Sequence, residues 1–139
     1  MGNKTSQVKI SFEDMQLRIQ SKCVIINTLP ENMQECLIPN TTFYKDEVDI
    51  INNLLKNSSD TDIIIYGMNN NDESVVRKYK QLTGLGFQKI YIYLGGMFEW
   101  LLLQDIYGTD EFPTTSSELH ILNYKAPSAF KNKLLLENI

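Results

Sequence analysis

Apolar and polar positions along this chain switch repeatedly between a helical and an extended period. Phe12, Met15 and Ile19 recur at helical spacing, with Ser11 before them as a cap and Asp14 as the acid of a capping box. Cys23-Val-Ile-Ile-Asn27 is a short unbroken apolar run rich in β-branched residues, the mark of a strand buried on both faces. Residues 28–40 read as irregular, broken by Pro30 and Pro39. Val48, Ile51 and Leu55, widened by Ile50 and Leu54, predict a helix over 46–56. A second buried strand is expected over 62–66. It leads through a polar loop into a helix from about Ser74 to Thr83, with Val75, Val76, Tyr79 and Leu82 inward. Residues 88–94 read as a third strand. Gly95-Gly96 then turns the chain into an apolar helix over 97–105, where Phe98, Trp100, Leu101 and Leu102 are expected in the core. In the tail, Leu119 to Tyr124 reads as a strand and Phe130 to Leu136 as a short helix.

Helix and strand alternate with short links, which predicts an α/β domain with a central, mainly parallel sheet flanked by helices. The expected division is a flexible N-terminus over 1–8, one domain over 9–126 and a C-terminal tail over 127–139. A length of 139 residues with 42% hydrophobic content is enough for one buried core without disulfides or a structural metal. The formal charge of −4 argues against nucleic acid as a partner. No apolar run reaches the roughly 18 residues of a spanning helix, and the first residues lack the apolar core of an export signal. A cytoplasmic protein with two free thiols, Cys23 and Cys36, is therefore expected. The sole histidine, His120, has no CxxC-type companion, so neither a metal nor another cofactor is expected. Met1-Gly2-Asn3-Lys4-Thr5-Ser6 fits the N-myristoylation pattern at Gly2, and membrane association is expected only through that acyl group.

Chemistry in such a domain belongs at the C-terminal ends of the strands. The polar loop there, Gly67, Met68, Asn69, Asn70, Asn71, Asp72, Glu73 and Ser74, holds no Cys, His, Lys or Arg. Asp72, Glu73 and Ser74 suit the start of a helix, where acids and hydroxyls satisfy free amides, with a pocket for a cationic partner as the other reading. Asn69-Asn-Asn71 suits turn or left-handed backbone. Arg77 and Lys78 lie one turn into the helix, read as solvated charges or as groups reaching back to an anion. Cys23 opens the first core strand and reads as packing. Cys36 lies in the irregular segment, and its neighbour Glu35 would raise its thiol pKa. Tyr107 to Thr115 carries aromatic and proline anchors, expected to pack over the sheet edge or to form a partner surface.

The order of four segments resembles the rhodanese-homology domain over roughly residues 10–105. Gly86-Phe87 and Leu94-Gly-Gly-Met-Phe-Glu-Trp100 are similar to its "GF" and "L-x-GG-x-x-x-W" elements. Val24-Ile-Ile-Asn-Thr-Leu29 resembles its "LIDVR" strand and Ile38-Pro-Asn-Thr-Thr42 its "HIPGA" segment. The resemblance implies a catalytic cysteine directly after the 62–66 strand, carrying sulfane sulfur in a loop of backbone amides. Gly67 stands at that position. Asn27, Leu29 and Asn40 replace the Asp, the Arg and the Gly of the family segments.

The expected function is thus a catalytically inactive rhodanese-like domain serving as a binding or regulatory module for an unnamed protein partner. Loop residues 67–74 form the vestigial site, and the chain is read as leaning away from enzyme. Two alternatives stand beside it. One is a divergent sulfurtransferase or phosphatase-like enzyme using Cys36 or a residue from another chain. The other is a structural protein that assembles with its own copies through the tail.

Overall fold

A computed structural model describes residues 7–58 and 60–131. Elements run β1 (Val8–Ile10), α1 (Phe12–Arg18), β2 (Val24–Asn27), α2 (Glu47–Asn57), β3 (Ile63–Tyr66), α3 (Glu73–Gly84), β4 (Ile90–Tyr93) and α4 (Gly96–Tyr107). Short 3-10 turns occur at Glu31–Met33, Tyr44–Asp46 and Ile121–Tyr124. The four strands form one parallel sheet in the order β1-β4-β3-β2.

Both faces of the sheet are covered, which explains the unbroken Ile63-Ile-Ile-Tyr66 run: every residue of β3 is buried. On one face Met15 of α1, Ile19 just after it, and Met97, Trp100 and Leu101 of α4 pack against Ile25, Ile64, Tyr66 and Tyr93. On the other, Ile51 of α2 and Val75, Tyr79 and Leu82 of α3 pack against Ile26, Ile63, Ile65 and Ile92. The capping box at Ser11 forms as expected, with Asp14 N donating to Ser11 Oγ and Ser11 N to Asp14 Oδ2.

Several expectations are corrected. No strand is expected over 8–10, yet Val8, Lys9 and Ile10 pair with Tyr91, Ile92 and Tyr93 as an edge strand. Three residues with a central lysine carry too little apolar pattern to read as a strand, and only the neighbouring β4 supplies the reason for extension. The 119–124 segment is no strand but ends in the Ile121–Tyr124 turn, and it pairs with none of the four strands. Val48, Leu55 and Val76 point outward, and so does Leu102. A period-3.6 stripe marks a face but not its width, and each of these residues lies at a stripe's margin. The helix expected over 130–136 lies mostly outside the described residues, as does Gly2.

The extension after α4 packs on the domain itself. Phe112 is buried edge-on against Trp100, with ring centroids 5.1 Å apart, and also meets Phe12 at 5.6 Å. Pro113 O accepts from Trp100 Nε1 at 2.8 Å, and Gln104 Nε2 donates to Phe112 O at 2.7 Å. Thr115 then ties this strap to residues 35–37 through Leu37 O and Leu37 N, both at 2.9 Å.

Candidate functional site

Helices α2 and α3 follow β2 and β3 on one face, whereas α4 follows β4 on the other. The neighbouring strands β3 and β4 therefore send their loops to opposite sides and open a crevice at their C-terminal ends. The 67–72 loop occupies that crevice, and α4 holds it from beside. Met97 N donates to Gly67 O at 2.9 Å and Phe98 N to Met68 O at 2.8 Å. Backbones approach this closely because Gly96 has no Cβ: one placed there would lie 2.7 Å from Gly67 O and 2.9 Å from Asn69 N. Gly96 thus serves the loop as well as the helix turn.

Inside the loop sits the carboxylate of Asp72. Its Oδ2 accepts from Met68 N at 2.8 Å, and its Oδ1 from Ser74 N at 3.0 Å and Ser74 Oγ at 2.6 Å. Ser74 Oγ lies 2.7 Å from Thr28 Oγ1, which joins the loop to the residue after β2. Asp72 caps α3 as expected, but it also fills the centre of the loop. A Cβ on Gly67 would lie 2.4 Å from Asp72 Oδ2, 2.6 Å from Val75 Cγ2 and 2.8 Å from Thr28 Oγ1. The three hydrogen bonds to the Asp72 carboxylate come from within the loop and the start of α3. Glu73 points to solvent.

The asparagines act locally. Asn69 is buried, donates to Tyr124 O at 2.8 Å and accepts from Asn71 N at 2.9 Å in a turn. No residue of 69–71 takes a positive φ; among non-glycine described residues only Asn40 does, at 69°. Asn40 is the position that resembles the glycine of "HIPGA", and asparagine is the side chain that tolerates this conformation best. Asn27 forms a reciprocal amide pair with Gln34, at 3.0 and 2.8 Å. Lys78 is not a solvated charge: it forms a partly buried ion pair with Glu47 of α2. Arg77 is exposed, with Glu73 3.9 Å away.

Cys36 lines a cavity of its own. It is buried, its Sγ donates to Ser116 O at 3.2 Å, and the cavity measures about 430 Å³, lined also by Glu35, Glu118 and Tyr124. No residue of 67–74 lines that cavity. Burial pushes the thiol above its ordinary value, with Glu118 adding to the rise. Cys23 is partly buried and donates to Arg18 O at 3.4 Å, as a packing residue does. Sequence reasoning missed Thr28 and Tyr124. Thr28 was findable as the residue just past a strand end. Tyr124 gave no signal, since only the returning tail brings it to Asn69.

Buried tyrosines surround this region. Tyr66 OH lies 2.7 Å from Thr41 Oγ1 and accepts from Ile38 N at 3.2 Å; Tyr93 OH donates to Glu99 Oε1 at 2.7 Å. Burial is the leading cause that raises both, and it pushes Tyr124 up to about 12. Raised acid groups favour the folded state while protonated. Their stabilisation is complete below the ordinary values, roughly 8.5 for Cys and 10 for Tyr, and is lost as pH rises through the folded values. The urea midpoint is therefore expected to hold from pH 7 to 8.5 and to fall steadily above about pH 10. A midpoint unchanged to pH 11 would refute this.

Among the described residues no helix is long and apolar enough to cross a membrane. The rhodanese-like domain model matches residues 14–103, from within α1 to within α4. No curated protein matches the sequence. Among solved structures, the chain is similar to the Alr3790 protein from Anabaena sp., at 16% identity and a TM-score of 0.56, covering 82% of this chain and 97% of that one. It is also similar to the solution structure of the rhodanese-like domain of that protein, at 19% identity and a TM-score of 0.56, covering 89% and 88%. These likenesses bear on the fold. With its family match running through β2, β3 and β4 and the loop between them, the chain belongs to the rhodanese-like domain family.

Proposed function

We propose that this rhodanese-like domain is catalytically inactive and serves as a binding or regulatory module. One observation carries the reading: the Asp72 carboxylate occupies the space where a side chain at Gly67 would stand. A family nucleophile belongs at that strand end, and a thiolate there would face a carboxylate instead of free amides. Cys36 is a poor substitute, because its thiol is desolvated and engaged with the carbonyl of Ser116. The domain keeps its sheet and its loop framework, which supports retention for binding.

The test is direct. Full-length protein incubated with thiosulfate and cyanide is expected to release thiocyanate at the rate of the blank. Turnover that disappears in Cys36→Ser would overturn the reading. Gly67→Cys is expected to lose about 1–3 kcal/mol in urea unfolding, because the new side chain meets Asp72, Val75 and Thr28. It is also expected to show no persulfide by intact mass after thiosulfate treatment.

A further inference from the structure

Helix α4 carries apolar residues on all its faces, interrupted by Glu99, Gln104 and Asp105, a composition that suits a helix covered on more than one side. Its inner face meets that description, with Met97, Trp100 and Leu101 buried. Its outer face does not. Phe98, Leu102 and Ile106 follow at intervals of four, and Leu102 and Ile106 are 39% and 68% exposed. Beside this ridge runs a groove of about 440 Å³, walled by Ile10 and Phe12 opposite Phe98 and Leu102, with Leu94 at its end. Among the described residues one charged side chain lines it, Glu99, held in place by the hydroxyl of buried Tyr93.

We propose that this groove docks an apolar segment of a partner protein that carries a lysine or arginine to meet Glu99. Charge selects this occupant. An apolar segment without a cation would desolvate the carboxylate with only the Tyr93 hydroxyl beside it, whereas a Lys or Arg turns that cost into a charge-assisted contact. A second copy of this chain is disfavoured by the same group. Two α4 helices packed antiparallel about Leu102 set Glu99 of each against Asp105 of the other, since both acids stand three residues from Leu102. Like charges then oppose each other twice. Asn70 lines the groove as well, so a bound segment lies against the 67–72 loop. The inference rests on the binding-module reading and gives that module its surface.

The test uses the full chain and two fluorescein-labelled amphipathic peptides, one of leucine and lysine and its twin of leucine and glutamate, titrated by anisotropy. The lysine peptide is expected to bind at least about tenfold tighter than the glutamate peptide. Leu102→Ser, at an exposed position that leaves the core intact, should weaken it by about tenfold, while Leu17→Ser on α1 should not. Glu99→Gln, which keeps an acceptor for Tyr93, should erase the preference between peptides. Equal affinity for both peptides, or equal loss from Leu17→Ser and Leu102→Ser, overturns the proposal. So does a dimer in light scattering that Leu102→Ser dissociates, which would make a second copy the occupant. A full chain with Leu134, Leu135 and Leu136 all changed to serine that binds tenfold tighter would assign the groove to the chain's own terminus instead. Thiocyanate release is scored separately, so a failed groove and a failed inactivity reading are told apart.

Discussion

Trp100→Ala is expected to lower the unfolding free energy by about 3–5 kcal/mol, the largest loss we expect from one side chain. Trp100 is fully buried and ties together three consecutive parts of the chain, β4, α4 and the strap. It stacks edge-on with Tyr93 of β4 at 6.0 Å, meets Phe112 of the strap at 5.1 Å, and its indole N–H holds Pro113 O. Truncation leaves a cavity under α4 and an unpaired carbonyl in the strap, and the two costs add. Urea unfolding followed by tyrosine fluorescence measures the loss. A change below about 1.5 kcal/mol would show that the strap collapses into the gap and that Trp100 is not the anchor described here.

Gly96→Ala is expected to cost about 2–4 kcal/mol, from two sources that act together. Gly96 has φ 66°, a left-handed conformation that a Cβ makes unfavourable. The added carbon also meets only backbone, Gly67 O at 2.7 Å, Asn69 N at 2.9 Å and Met68 C at 2.9 Å, and backbone does not rotate aside. Relief requires the loop to move off α4, breaking the bonds from Met97 N and Phe98 N. Amide exchange at those two residues should therefore quicken beyond the global loss. Gly84→Ala is the control: nothing lies within 4 Å of a Cβ there, in the last turn of α3, so it should be neutral or slightly stabilising. Equal effects at the two glycines would remove the loop-holding role assigned to Gly96.

The parts of the protein that were legible in advance are those governed by local pattern. The Ile63-Ile-Ile-Tyr66 run announced a central buried strand because no other common structure hides every side chain of so short a segment. Ser11 with Asp14 announced the start of α1, and Asp72 with Ser74 the start of α3, because free amides at a helix start require a nearby acceptor. The resemblance carried by Gly86-Phe87 and the Gly-Gly…Trp100 element placed the loop at the end of β3. What the pattern could not supply was anything decided across the sheet. Val8–Ile10 is a strand only because β4 lies beside it, and Leu102 is open because none of the described residues returns over that side of α4.

The candidate site divides in the same way. From its sequence alone this protein is an α/β domain of rhodanese type whose loop after β3 lacks a thiol, and Gly67 and Cys36 are named by that reading. Charge composition also made the loop look acidic. Tertiary structure decided what the acid does: Asp72 turns inward and accepts from Met68 and Ser74, while Glu73 stays in solvent near Arg77. It decided as well that Cys36 opens to another cavity, beside Tyr124. The physical reason is one and the same. Spacing along a chain fixes which face a residue takes within its own element, but contact between loops depends on how helices stack over the sheet, and no local period encodes that.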